Sequence, residues 1–168
     1  MKQLPKTLRD PLEKISQWLA PLGYTLSIED MEDEVPGLLG QYENGSVFEK
    51  EILIRVSTQN IRTFIKEYNR DFPKERRNYT DECALTVFHE VGHALMEQLN
   101  DYADNIEGFL ERLKVDPEEP FSPYFDVFYD DNKTEEEVVE DFAWGFLDGS
   151  SSKLQKCMEE TDRIAAEL

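Results

Sequence analysis

One segment constrains this chain more than any other: Ala84-Leu-Thr-Val-Phe-His89-Glu90-Val-Gly-His93-Ala-Leu-Met-Glu-Gln-Leu99. Leu85, Phe88, Met96 and Leu99 recur at helical spacing and give it an apolar stripe. Thr80 can cap such a helix, and Asp81 and Glu82 stand where the helix dipole favours acids. On that helix His89 and His93 fall one turn apart on one side, so both imidazoles can reach a single tetrahedral zinc. Glu90 is turned by about 100° from His89. That sets it beside a metal rather than on it, where a general base for a metal-activated water belongs. Gly92 leaves room close to the metal. The neighbours Val87, Phe88, Val91, Ala94 and Leu95 are all uncharged, as a buried position behind such a site requires.

Two histidine ligands leave a zinc site incomplete. The chain has only two histidines and both lie in this motif, so a carboxylate must supply the third ligand. The best source is Thr134-Glu-Glu-Glu-Val-Val-Glu-Asp-Phe-Ala-Trp-Gly-Phe-Leu147, which reads as a helix capped by Thr134. Val139, Phe142, Ala143, Phe146 and Leu147 form its inward stripe. Extending that stripe one turn back reaches Glu136, with Glu135 less well aligned. Glu140, one turn after Glu136, can support a histidine ring from outside the metal. Glu137 falls on the side of Asp141, Trp144 and Asp148 and reads as more exposed, and Glu140 is a further candidate ligand.

Composition sets the frame. A chain of 168 residues suits one domain, 1–168, with a core that needs no staples. A net charge of −19 argues against a nucleic-acid partner. Residues 101–141 carry fifteen Asp/Glu against three Lys/Arg, while Arg62, Lys66, Arg70, Lys74, Arg76 and Arg77 form a local basic stretch. Both read as solvated faces. The opening residues lack an apolar stretch of signal-peptide kind, and no stretch approaches a membrane span, so a cytoplasmic location is expected. Cys83 and Cys157 are too few and too far apart for a disulfide framework or a thiolate zinc site, and read as reduced core residues.

The remaining pattern is mixed. Asp10-Pro11-Leu12-Glu13 reads as a helix start, with Leu12, Ile15 and Leu19 on one face and Pro21 with Gly23 as the stop. Tyr24, Leu26 and Ile28 alternate as in a strand. Two further strands flank the hairpin signal Asn44-Gly45, the second with Ile52, Ile54 and Val56 on one face. Ile61, Phe64, Ile65 and Tyr68 mark a helix closed by Pro73. From Thr80 the chain reads as helical nearly to its end, except for the Pro- and aromatic-rich connection 116–133.

His89-Glu90-Val-Gly-His93, followed 43 residues later by Glu136-x-x-Val139-Glu140-x-Phe142-Ala143, resembles the gluzincin zinc peptidases and most of all their minimal single-domain members, the minigluzincins. Small bacterial and phage peptidases that cleave repressors and stress regulators share the likeness. Their second helix reads Glu-x-x-Ala-Asp/Asn, and here Val139 replaces the Ala and Glu140 the Asp/Asn. The resemblance implies a zincin-like α+β domain: a small antiparallel or mixed sheet, then a metal-binding helix, then a glutamate helix. It implies a metalloprotease acting on a peptide or protein, with Zn2+ on His89, His93 and Glu136 and with Glu90 as general base. It also implies an edge strand that binds extended peptide, for which Glu51 to Ser57 is the candidate, with Leu53 and Arg55 pointing toward solvent or substrate. No histidine remains as oxyanion donor, so Tyr124 or Tyr129, on the loop before the glutamate helix, is expected there. A homo-oligomer is admissible. The competing reading is a non-catalytic regulatory or binding protein that keeps the zincin fold.

Overall fold

Leu8, Pro11, Ile15 and Leu19 are buried at a spacing that a helix presents on one side, and helix α1 spans Lys6–Leu19 in the computed structural model of the chain. The structure describes residues 3–31, 35–44, 50–113 and 134–167. Helix α1 begins earlier than the Asp10-Pro11 signal suggested: Pro5 is its N-cap and Pro11 lies inside it. Burial of Leu8 accounts for this, because the apolar stripe extends a full turn before the proline, and Pro11 is itself buried in that stripe.

Two compact units make up the chain, Met1–Val91 and Gly92–Leu168, with the boundary inside one continuous helix. The first contains the sheet. After α1 a 3₁₀ turn, Ala20–Leu22, ends at Gly23 in the left-handed conformation (φ 85°). Strand β1 (Thr25–Asp30), β2 (Gly40–Asn44) and β3 (Glu51–Val56) follow. The sheet order is β1-β3-β2; β3 runs parallel to β1 and antiparallel to β2. The architecture is therefore α+β with a small mixed sheet. Asn44 stands opposite Ile52, so the pairing expected around Asn44-Gly45 is present, while residues 45–49 lie outside the described residues.

One expectation fails here. β3 is the central strand and has no free edge; the edge strands among the described residues are β1 and β2. The apolar alternation of Ile52, Ile54 and Val56, all buried, identifies a strand but says nothing of its neighbours. Arg55 on this strand is partly exposed. It pairs with Glu43 on β2 at 2.9 Å and with Glu29 on β1 at 3.4 Å.

Helix α2 (Thr58–Asp71) is held at its start by side chains. Ser57 Oγ accepts from the Asn60 N–H at 3.1 Å, and Asp30 accepts both the backbone N–H and the hydroxyl of Thr58. Asn69 then brackets the backbone of Arg77, accepting its N–H at 2.7 Å and donating to its carbonyl at 3.0 Å. The Arg77 guanidinium covers the Tyr68 ring and bonds Glu82. The basic stretch thus meets local partners at several points: Arg70 pairs with Asp71, and Arg62 stacks on Tyr79.

Helix α3 spans Tyr79–Leu113. Its cap is Asn78, whose side chain accepts from the Asp81 N–H at 3.2 Å, so Thr80 sits inside the first turn instead of ahead of it. Leu85, Phe88, Val91, Leu95 and Met96 are buried along it, and the side chain of Leu99 lies outside the described residues. Cys83 is fully buried with a free thiol, while the Cys157 side chain is not described.

In the second unit, helix α4 (Glu135–Asp148) starts at Thr134, whose hydroxyl accepts from the Glu137 N–H, and ends at left-handed Gly149. Val138, Val139, Phe142, Ala143 and Phe146 are its buried face. Helix α5 (Lys153–Glu167) packs beside it, with Ser152 Oγ accepting from the Gln155 N–H at its start. Gly92 brings α3 onto α4. A Cβ there would lie 3.0 Å from Val139 Cβ and 3.1 Å from Phe142 Cδ1.

Candidate metal centre

Close approach at Gly92 has a direct consequence one residue later. His93 faces the first turn of α4, and each of its ring nitrogens meets a carboxylate. Nδ1 lies 2.9 Å from Glu135 Oε1 and Nε2 lies 3.0 Å from Glu136 Oε1. An imidazole with its Nε2 toward one carboxylate and its Nδ1 held by another is the arrangement of a metal-binding histidine with a supporting partner. His89 stands one turn earlier on the same helix. The ligand atoms of His89, His93 and Glu136 all lie within 4.8 Å of one another, and this group could bind a metal ion.

The acids hold their place for electrostatic reasons as well. Glu135, Glu136 and Glu137 occupy the first turn of α4, where the positive end of the helix dipole offsets their mutual repulsion. Thr134 caps that turn and sets its phase, which directs Glu135 and Glu136 to His93. All three acids are exposed, whereas His93 is largely enclosed. Glu140 accepts the indole N–H of Trp144 at 3.1 Å. The carboxylate at Nδ1 of His93 is Glu135, the residue the apolar stripe ranked below Glu136.

Glu90 is half-buried on α3, and in the first unit its Cγ lies against the backbone of Gly40 at the start of β2. Sequence reasoning passed over Gly40. The available signal was a lone glycine at a strand, a frequent mark of close backbone approach. Tyr124 and Tyr129 fall in residues 114–133, outside the described residues, so the oxyanion donor is not placed. Among the described residues no helix is long and apolar enough to cross a membrane.

No family model, no characterised protein and no solved structure matches the chain. The gluzincin likeness therefore stands on the residues of α3 and α4 alone.

Proposed function

We propose that this chain is a zinc-dependent metallopeptidase of the minimal gluzincin kind, with zinc held by His89, His93 and Glu136. The observation that carries this reading is His93 between two carboxylates of one capped helix turn, one at each ring nitrogen. The donor set suits zinc: two imidazoles and a carboxylate are the ligands of open, catalytic sites, whereas structural sites favour four protein ligands. Tetrahedral ligands at about 2.0–2.2 Å from a metal stand roughly 3.3 Å apart. The 3.0 Å between His93 Nε2 and Glu136 Oε1, and the 4.8 Å limit for the whole group, need only small adjustment to match.

Zinc, when bound, supplies Lewis acidity toward water and the peptide carbonyl. The rest falls to the chain. Glu135 holds the Nδ1 side of His93 and so directs Nε2 inward. Glu90, turned away from the ligand face, takes a proton from the attacking water and passes it to the leaving amine. Strand β2 offers the edge for an extended peptide. Ser57 N–H bonds the Leu39 carbonyl at 2.8 Å, so by antiparallel alternation the N–H and C=O of Gly40 and Tyr42 point away from β3. The substrate is accordingly a peptide in extended form.

Glu90→Gln tests this reading. It should retain the metal of the wild type and lose peptide hydrolysis by ~10²–10⁴-fold. Hydrolysis of a quenched-peptide pool, with metal content of both proteins, checks it. Equal rates in the two proteins would leave a metal-binding module without peptidase chemistry.

A further inference from the structure

Gly40 opens β2, and nothing in its own backbone asks for glycine. The glycines with left-handed φ among the described residues are Gly23, Gly37 and Gly149. Glycine inside a strand weakens it, so a glycine retained there points to something that comes close. At Gly40 that neighbour is α3. A Cβ added at this position would stand 2.7 Å from Thr86 Cγ2 and 3.1 Å from Glu90 Cγ. Thr86 and Glu90 are four residues apart and so project from the same side of the helix. Thr86 is buried and its hydroxyl donates to the Glu82 carbonyl at 2.8 Å, which limits how its methyl can turn away. The strand backbone therefore forms a wall along the stem of Glu90.

We propose that Gly40 is a positioning residue: its bare backbone braces the Glu90 stem and fixes where that carboxylate stands relative to His89. The proposal rests on the peptidase reading for the role of Glu90, but the contact itself does not. A glutamate side chain has three rotatable torsions, and a wall at Cγ removes part of that freedom before the reaction begins. Any side chain at position 40 would push Glu90 away from the strand. Misplacement of a reacting group by 1 Å can cost ~100-fold in rate, and smaller displacements cost less. Because the N–H and C=O of Gly40 lie outside the β2–β3 ladder, a substitution acts through its side chain and breaks no ladder bond.

The test separates Glu90 from simple packing. Thr86→Ser deletes Cγ2, which removes the tightest contact and leaves Glu90 Cγ at 3.1 Å as the nearest neighbour of position 40, with Arg55 O at an ordinary 3.4 Å. In that background Gly40→Ala and Gly40→Val are compared with the Thr86→Ser parent. The readouts are thermal unfolding, zinc per chain, the visible spectrum of the cobalt(II)-substituted protein, and kcat and KM on a quenched-peptide pool. The expected result is unchanged zinc stoichiometry, with kcat lower by about threefold for Ala and about tenfold or more for Val. KM should move less than twofold, and the cobalt bands should shift toward those of Glu90→Gln. A parent-like kcat and parent-like cobalt spectrum in both Gly40 variants would overturn the proposal. If the parent cleaves no peptide, the peptidase reading fails while the cobalt spectra still decide the brace. If no metal binds, crystal structures of the parent and Gly40→Val decide it, and an unmoved Glu90 overturns it.

Discussion

His93 and Glu136 meet at 3.0 Å but come from opposite physical settings. His93 belongs to a helix whose neighbours Val91, Ala94, Leu95 and Met96 are buried, so its orientation follows from packing that cannot shift without opening the core. Glu136 stands in the first turn of α4 with its side chain 71% exposed, between two other glutamates. Its place is set by the Thr134 cap and by the phase of Val138, Val139 and Phe142 further along the helix. A candidate ligand fixed by its surroundings and one fixed only by the register of its helix should respond differently to change.

The largest effects should follow loss of a ligand atom. His93→Ala and Glu136→Ala should each weaken zinc binding by more than the ~10–100-fold expected of a supporting group, with helix content unchanged. Competition against a chromophoric chelator, with circular dichroism as control, measures both. Glu137→Ala should leave affinity near the wild-type value. The opposite order for Glu136 and Glu137 would move the ligand by one residue and break the proposed register.

Glu135→Gln comes next. It keeps the size of the side chain but lowers the negative charge at Nδ1 of His93, and zinc affinity should fall by ~10–100-fold, read in the same chelator assay. No change would mean that packing alone orients His93.

Gly92→Ala tests the junction from which both candidate ligands depend. On an exposed helix this change gains about 1 kcal/mol. Here the added methyl meets Val139 and Phe142, and a net loss of about 1–3 kcal/mol is expected in denaturant unfolding. Weaker zinc binding should accompany it, since the helix that carries His93 is forced off α4. A stabilised variant would show that the two helices yield freely.

The smallest effect concerns the buried start of α3. Burial raises the Cys83 thiol above its ordinary value, so the folded state holds it neutral. Its contribution to stability is complete below the unfolded thiol value of ~8.5 and is lost as pH rises beyond it, because the unfolded chain ionises first. Chemical denaturation across that window should show stability falling for wild type and falling less for Cys83→Ala. Parallel curves would locate the alkaline sensitivity elsewhere.

Much of this was legible in the residues. Three strands, the α2 and α4 helices and the α3 histidine pair all show their periods, because apolar burial writes a spacing of two or of three to four residues into the chain. Caps were less legible. Asn78 displaced Thr80, and Pro5 displaced Asp10, since several polar residues near a helix start can serve and the buried stripe selects among them. The Glu135–Glu137 run hid its roles for a related reason: three identical side chains carry no mark of direction.

By itself the sequence determined that α3 presents two imidazoles one turn apart with Glu90 beside them, and that a carboxylate must complete any site they form. Those follow from helix geometry and from a count of histidines, and neither needs a neighbour. Only the tertiary structure decided that β3 is central and β2 an edge, that Glu135 and Glu136 take opposite nitrogens of His93, and that Gly40 lies against Glu90. These are relations between segments distant in sequence. A strand's alternation is the same at the centre of a sheet as at its edge, and a glycine gives no sign of what approaches it.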